Sequence, residues 1–241
     1  IHRQLATKDQ KSNSWTIHSQ SILAKYGLPH LSTIIEEETP KQVWKELVDD
    51  AVHSHWSNLL EKDAATMSTL KYLNCAFSPR QVHPVWKHAS ATMADVRRST
   101  IKARMVSGVY ILQATRAAFN QTSNKTCPLC HKDEENMVHF LCSCEALDHI
   151  RKPLLTKLMD DIPYVYHDHP ATWEENMTAQ LILDSSHPTV LQILPEIEPL
   201  LPLIDKHTLI LTFALHRTRS KILEEKSSIN SSVSRKIGKT N

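Results

Sequence analysis

The chain has 241 residues, of which 41% are hydrophobic and 22% are charged; this is the composition of a globular protein and excludes a disordered or membrane-spanning one. Its three glycines, Gly27, Gly108 and Gly238, lie too far apart to form a dinucleotide-binding fingerprint or a phosphate-binding loop. The net charge of +2 averages two basic blocks against an acidic one. Residues 80–126 carry 8 basic side chains and 1 acidic side chain, whereas residues 127–205 carry 4 basic and 14 acidic side chains.

The first third of the chain is predicted to be helical. The apolar pattern favours a helix over residues 12–26, which ends at Gly27. The segment Thr39-Pro40-Lys41-Gln42 is a helix-start signal, because threonine caps well and proline is tolerated in a first turn. Apolar residues at three-and-four spacing then predict a helix of about twenty residues. A second helical pattern covers 63–74, and X-Pro steps within 78–84 indicate a loop.

Helical patterns continue through the rest of the chain. They cover residues 91–119 (with a break near Gly108), 145–160, 171–183 and 203–226, whereas residues 120–126 form a polar loop. The sequence therefore predicts a mostly α fold, a helical bundle with a small zinc-knuckle insertion between helical parts. The predicted regions are a helical region with a basic helix (1–119), a CCHC zinc knuckle (120–150), a C-terminal helical region (151–228) and a disordered tail (229–241).

Four of the five cysteines fall between residues 127 and 144, and such an odd, clustered set favours metal binding in a reducing compartment over a disulfide framework. Cys127 and Cys130 are separated by two residues, so a tight turn can present both sulfurs to one ion. His139 follows eight residues later, and Cys144 follows after four more. Thiolate and imidazole ligands suit tetrahedral zinc, and four protein ligands leave no open position. The motif therefore predicts a structural Zn²⁺ site rather than a catalytic one.

The spacing alone leaves the ligand set open. Cys142 is an alternative to Cys144, and His131 and His149 are close enough in sequence to compete. The segment His167-Asp168-His169 is a second metal-like cluster, which we interpret as a surface loop.

Basic side chains form the expected contact surface for a polyanion. We expect eight of them to meet the phosphates of RNA or DNA: Arg97, Arg98, Lys102, Arg104, Arg116, Arg217, Arg219 and Lys221. Such contacts position a nucleic acid without reading its sequence. Trp86 and Tyr110 are candidates for stacking on bases, although core packing is the more common use of such residues.

No catalytic machinery is recognisable in the sequence. A polymerase needs paired aspartates on a strand hairpin to hold two metal ions. The pairs Asp49-Asp50 and Asp160-Asp161 lie instead in a helical pattern and at a helix end before Pro163. We therefore expect the segment not to be an enzyme by itself.

The order of these motifs resembles a known family. Residues 110–120 lead into Cys-Pro-Leu-Cys, acidic residues, His-Phe-Leu-Cys-Ser-Cys and a predicted helix. This arrangement resembles the zinc-binding region downstream of the polymerase in non-LTR retrotransposon reverse transcriptases. Residues 23–29 and 43–48 also resemble parts of invertebrate reverse-transcriptase-like proteins, so the resemblance spans roughly residues 10–160, with the cysteine-histidine motif as its specific part. It implies Cys127, Cys130, His139 and Cys144 as ligands.

Two positions depart from the family pattern. The family usually has glycine after the second cysteine, where this chain has His131, and often proline after the last cysteine, where it has Glu145. A start at Ile1 rather than Met is expected if the chain is the tail of a longer product.

The first functional hypothesis is a nucleic-acid-binding accessory region of a reverse-transcriptase-like protein, which contacts template RNA or target DNA. Its expected partners are RNA or DNA and the rest of the polyprotein, with no membrane, and its expected location is intracellular and nuclear. The alternatives are a zinc-stabilised helical scaffold that binds proteins and a degenerate fragment of an element.

Overall fold

The structure of the chain, a computed structural model, describes Arg3 and residues 14–75, 81–120, 124–160 and 174–237, with side chains as far as residue 228. The chain divides into two compact units: Ile1–Thr66 with Cys75–Gln81, and Met67–Asn74 with Val82–Asn241. None of the three predicted boundaries, at 119/120, 150/151 and 228/229, coincides with this division. The knuckle and the helices that follow it share one unit with residues 82–119.

The first unit contains three helices, α1 (Trp15–Lys25), α2 (Leu31–Glu36) and α3 (Lys41–Thr66). Helix α1 ends as the sequence predicts, because Gly27 takes a left-handed conformation with φ of 65°. Helix α3 begins directly after Thr39-Pro40 and is longer than predicted. The helical pattern of 63–74 is wrong beyond Thr66, because only the 3₁₀ turn Ser68–Leu70 follows.

The second unit begins with that 3₁₀ turn and continues with α4 (Pro84–Lys87), α5 (Met93–Val106) and α6 (Gln113–Phe119). Thr92 Oγ1 caps α5 by accepting a hydrogen bond of 3.3 Å from the backbone amide of Asp95. The predicted break near Gly108 is confirmed. Gly108 has φ of 71°, and a Cβ at this position would lie 2.6 Å from Thr69 Cβ. Only glycine fits this backbone without strain.

The remaining elements follow the cysteine motif. They are a π-helical turn (His139–Ser143), a 3₁₀ turn (Glu145–Leu147), α7 (Asp148–Asp160), α8 (Glu175–Leu183), α9 (Pro188–Ile193), a 3₁₀ helix (Pro195–Leu200) and α10 (Leu201–Ile237). The backbone of α10 continues as a helix to Ile237, into the segment 229–241 for which the sequence predicts a disordered tail. A helix that is already formed and packed propagates at little further nucleation cost.

The mostly α fold is confirmed. In the described ranges there is no β-strand, and Thr126 and Glu134 form an isolated antiparallel bridge within the knuckle. None of the described helices is both long and apolar enough to cross a bilayer.

The core of the second unit forms around α10, which packs against α5 and α7. Its buried side chains include the cysteines of the motif together with residues from the helices: Met105, Tyr110, Leu112, Cys127, Phe140, Leu141, Cys144, Leu147, Leu211 and Leu215. The predicted knuckle is therefore integral to this core and is not a separate insertion, because its buried residues belong to the same hydrophobic cluster as those of the helices.

Histidines cap three short helices. His30, His83 and His187 each accept a hydrogen bond through Nδ1 from the backbone amide two residues later, at 3.3 Å. Each imidazole thus satisfies one of the free amides of a helix N-terminus. Part of the unusual histidine content therefore has a structural role.

Candidate metal centre

The first two cysteines lie on a tight turn. The amide of His131 donates to the carbonyl of Cys127 over 2.9 Å, and the amide of Cys127 donates to the carbonyl of Asp133 over 2.7 Å. His131 itself takes a left-handed conformation with φ of 59°. A left-handed backbone is uncommon for residues other than glycine, and His131 adopts it directly after the second cysteine.

A π-helical turn returns the chain to the same point. The amide of Cys144 donates to the carbonyl of His139 over 2.8 Å, which is the i→i+5 bond of a π-helical turn. Asn136 Oδ1 accepts from the amide of His139 over 2.9 Å and so fixes the start of the turn. The wide turn thus explains the spacing of four residues between His139 and Cys144, because it places both side chains on the same side of the turn.

The four side chains converge. The ligand atoms of Cys127, Cys130, His139 and Cys144 all lie within 4.8 Å of one another. Cys127 Sγ is 3.8 Å from Cys144 Sγ, and Cys130 Sγ is 3.4 Å from His139 Nε2. A tetrahedral zinc ion with Zn–S bonds of about 2.3 Å and a Zn–N bond of about 2.0 Å would hold two sulfurs about 3.8 Å apart and a sulfur and nitrogen about 3.5 Å apart. The donor set and its dimensions therefore fit a metal ion of this kind.

The thiols of the cluster differ in how readily they ionise. Burial raises the pKa of Cys144 to about 12, and the neighbouring Cys127 and Cys130 sulfurs add to this effect. Burial also raises the pKa of Cys127. Burial acts in the same direction on Cys130, but hydrogen bonds from the amides of Lys132 and Asp133 outweigh it and lower the pKa of this thiol. Because burial disfavours the thiolate form of Cys127 and Cys144, binding of these two sulfurs to a metal ion would include the loss of their protons.

A second layer of contacts orients the ligands. His139 points Nε2 toward Cys130, and its Nδ1 lies 3.8 Å from a carboxylate oxygen of Asp133. This distance exceeds that of a hydrogen bond, so the exposed Asp133 carboxylate is an ionic neighbour of the ring and does not fix its orientation. Arg151 Nη2 donates to the carbonyl of Cys144 over 3.0 Å, which holds the end of the π-helical turn.

The competing ligands lie elsewhere. Cys142 Sγ is 3.5 Å from the carbonyl oxygen of Glu175, and burial raises its pKa to about 12. His131 is exposed, with Nε2 2.9 Å from Lys226 Nζ, and His149 is also exposed. The second cluster of the sequence, residues 167–169, lies outside the described residues.

Most of the predicted phosphate-contacting side chains are exposed. Arg97, Arg104, Arg116, Arg217 and Lys221 lie at the surface. Lys221 Nζ is 3.9 Å from Glu225, and the partly exposed Arg98 forms an ion pair of 2.7 Å with Asp95.

Two of the eight basic residues are buried, and their prediction as phosphate contacts is corrected. Lys102 Nζ donates to Asp205 Oδ1 over 3.2 Å and to Thr208 Oγ1 over 2.7 Å, with no part of its side chain exposed. Arg219 forms a bidentate pair with Glu135, at 2.8 and 2.9 Å. The prediction is based on the local charge pattern. That pattern does not include the two carboxylates that neutralise these cations, because both are distant in sequence.

Other candidates from the sequence also have defined places. Asp49 and Asp50 lie within α3, and Asp161 lies outside the described residues. Tyr110 is a core residue whose hydroxyl lies 2.9 Å from His216 Nδ1, whereas Trp86 is exposed. The structure therefore excludes Tyr110 as a stacking surface.

The sequence analysis missed Glu135, which connects the knuckle to the helices. Its carboxylate pairs with Arg219 of α10 and also accepts a hydrogen bond of 2.8 Å from the amide of Gln113, at the first turn of α6. Within the acidic run that follows Cys130, no local signal distinguishes this buried glutamate from its exposed neighbours Asp133 and Glu134.

Comparison with known proteins gives no match to a family model, to a curated protein or to a solved structure. The residues and their geometry therefore carry the functional argument.

Proposed function

We propose that this chain is a non-catalytic helical module, stabilised by zinc, that binds RNA or DNA. The observation that carries the proposal is a set of exposed arginines without an ion-pair partner in the described part of the chain. Arg97 and Arg104 lie on α5, Arg217 lies on α10, which packs against α5, and Arg116 lies on α6. An exposed guanidinium without a carboxylate partner is free to bind a phosphate group through its fork of donors.

The electrostatics of this surface, which we call the arginine surface (Arg97, Arg104 and Arg217), support the proposal. His216 precedes Arg217 on α10, and its pKa is lowered by burial and by the positive charges of Arg104 and Arg219. The positive charge of Arg104 on α5 therefore acts on a titratable side chain of α10. Neighbouring positive charges raise the local potential for a polyanion.

Zinc would have a structural role in this module. Cys127, Cys130, His139 and Cys144 would hold it, and a bound ion would stabilise the folded knuckle, because its ligands come together only in the folded chain. A closed set of four protein ligands leaves no position for a substrate.

The resemblance of the cysteine-histidine segment to the region downstream of the polymerase in non-LTR retrotransposon reverse transcriptases supports a more specific proposal. The chain would be an accessory region of such a protein, would act in the nucleus, and would hold template RNA or target DNA for the polymerase. Its other partner would be the rest of the polyprotein.

The test is the salt dependence of binding. Fluorescence anisotropy with labelled RNA and DNA is expected to show affinity that falls steeply as salt rises. The variant Arg97→Gln/Arg104→Gln/Arg217→Gln should lower the slope of log K against log salt by about 2 to 3, at about 0.7 to 0.9 for each phosphate contact. The matched control, Lys41→Gln/Lys45→Gln/Lys62→Gln, removes the same charge from exposed positions on α3 and should leave the slope unchanged. No binding at low salt, or equal slopes in both variants, would refute the proposal.

A protein-interaction role is the second candidate, and helix α3 is the observation that favours it. None of the 26 residues of α3 is buried, and Val43, Leu47, Trp56 and Leu59 are exposed. Exposed apolar side chains of this kind are typical of interaction surfaces. The arginine variant should then leave partner binding intact, whereas Trp56→Ala/Leu59→Ala should abolish it.

A further inference from the structure

A cavity of about 710 Å³ opens on the second unit. Its walls come from residues 68–72, the end of α5, helix α6 and the start of the π-helical turn. The buried side chains of Tyr72, Met105 and Leu112 line its apolar part. Cavities of about 300 to 1,000 Å³ with an apolar lining and a few polar groups are typical of ligand sites.

An aromatic side chain at this cavity has no packing role. Phe119 lines the cavity at the end of α6, yet 88% of its surface is exposed. Burial of a phenylalanine side chain stabilises a fold by about 1.5 to 3 kcal/mol, so core packing does not explain this position. An exposed ring beside a cavity is well placed to stack on a planar group.

The polar groups of the cavity suit the edge of a nucleobase. Asn136 and Asn176 line the cavity. The carboxamide oxygen of Asn136 already accepts from the amide of His139, which leaves its amino group as a donor, whereas the carboxamide of Asn176 can both donate and accept hydrogen bonds. These groups can therefore bind the mixed donors and acceptors of a base without selecting one base.

Positive charge lies on the cavity wall and on the helix that carries Phe119. Lys71 lines the cavity, with Nζ 4.6 Å from the centre of the Tyr72 ring. The exposed Arg116 lies one helical turn before Phe119 on α6. The carboxylate of Glu134 also lines the cavity, and its negative charge opposes phosphate binding on that side of the cavity. The ligand that this combination favours is planar and carries a negative charge next to the plane.

We infer that this cavity receives an unstacked base of a single-stranded nucleic acid, with Phe119 as the stacking platform and Lys71 and Arg116 beside the phosphates. The inference rests on the proposed function and makes it more specific. Duplex nucleic acids keep their bases stacked and paired, so only single strands can fill the cavity. Aromatic stacking binds any base, which makes the site tolerant of sequence.

The experiment uses the full zinc-loaded chain and fluorescence anisotropy with three labelled probes: a 12-nucleotide oligo(U), a 12-nucleotide oligo(dT) and a 12-base-pair DNA duplex. Phe119→Ala is expected to weaken binding of both single strands about tenfold, and to leave duplex affinity and the salt slope unchanged. Glu134→Gln should strengthen single-strand binding. The control, Trp15→Ala, removes another exposed aromatic side chain and should change nothing.

A second measurement locates the base directly. Photo-crosslinking of an oligonucleotide that contains 4-thiouridine, followed by peptide mass spectrometry, should place crosslinks in residues 68–72 or 113–119. Equal loss of duplex and single-strand binding in Phe119→Ala, or crosslinks only elsewhere, would overturn the inference. Binding that depends on the arginine surface but not on Phe119 would overturn the inference and leave the proposed function standing. Absence of binding to all three probes would overturn both.

Discussion

The buried pair of Glu135 and Arg219 gives a sharp test of the fold. The guanidinium binds both carboxylate oxygens, at 2.8 and 2.9 Å, and the carboxylate is fully buried. Arg219→Met would leave that carboxylate with the amide of Gln113 as its remaining described hydrogen-bond donor, at 2.8 Å. Removal of one partner of a buried ion pair costs about 3 to 5 kcal/mol, because the other charge stays buried without compensation.

The assay is thermal and urea unfolding of the zinc-loaded chain, followed by circular dichroism. For a domain of this size, about 3 to 5 kcal/mol corresponds to a fall in Tm of roughly 6 to 20 °C. Glu135→Gln should also destabilise the fold, because it leaves the Arg219 guanidinium without its counterion. The double variant should lose about 1 to 3 kcal/mol less than the sum of the single variants, which measures the coupling of the pair.

The chain offers a matched control two residues away on the same helix. Arg217 is exposed, so Arg217→Met should change the free energy of unfolding by less than about 0.5 kcal/mol. Nucleic-acid binding should show the reverse pattern: Arg217→Met should lower the slope of log K against log salt, whereas Arg219→Met should leave it unchanged. A loss below about 1 kcal/mol in Arg219→Met, or equal stability of the two variants, would refute the placement of Arg219 in the core.

Three further predictions concern the metal, a glycine and a histidine. Cys144→Ser should abolish bound zinc and Cys142→Ser should retain it, as measured by metal analysis of the purified chain; zinc retained in Cys144→Ser would exclude the proposed ligand set. Gly108→Ala should destabilise the fold by more than Gly27→Ala, because a Cβ meets Thr69 only at Gly108. At Gly27 the left-handed backbone alone costs about 1 to 2 kcal/mol. Equal losses of stability in urea unfolding would contradict this contact. Burial and the positive charges of Arg104 and Arg219 lower the pKa of His216 below the ordinary value of 6.5. The difference in unfolding free energy between the wild type and His216→Gln should therefore be largest above pH 6.5 and should shrink as pH falls through the lower folded-state pKa. A gap that stays constant from pH 7.5 to pH 5 would disprove that shift.

Features encoded within a few residues of sequence were predictable. The Thr39-Pro40 signal correctly placed the start of α3, because the fixed φ of proline acts within one turn. The Thr39 hydroxyl does not cap the helix and donates instead to the carbonyl of Glu37 over 3.3 Å. The Cys127–Cys130 spacing likewise identified two members of the cluster, because two intervening residues constrain the turn that presents both sulfurs.

Features that depend on distant partners were not predictable. The four-residue spacing of Arg98 and Lys102 indicated a charged helix face, but Lys102 is buried because Asp205, 103 residues later, forms an ion pair with it. The same reasoning failed for Arg219, whose partner Glu135 lies 84 residues earlier. A single sequence contains no local sign of which charge will meet a distant opposite charge in the core.

The same distant pairs change the role of the knuckle. Glu135 connects it to α10 through Arg219 and to α6 through the amide of Gln113, and Lys226 adds a second link from α10 through hydrogen bonds to the carbonyl of Pro128 and to His131. Arg217 lies on α10 and Arg116 lies on α6, so the segment that holds the Cys₃His cluster also sets the positions of these two helices. If zinc assembles this segment, its effect on nucleic-acid binding is exerted through the placement of arginines and not through contact with the nucleic acid. The proposed metal site and the proposed binding surface are therefore parts of one packed unit, although the sequence pattern separates them into an insertion and two helical regions.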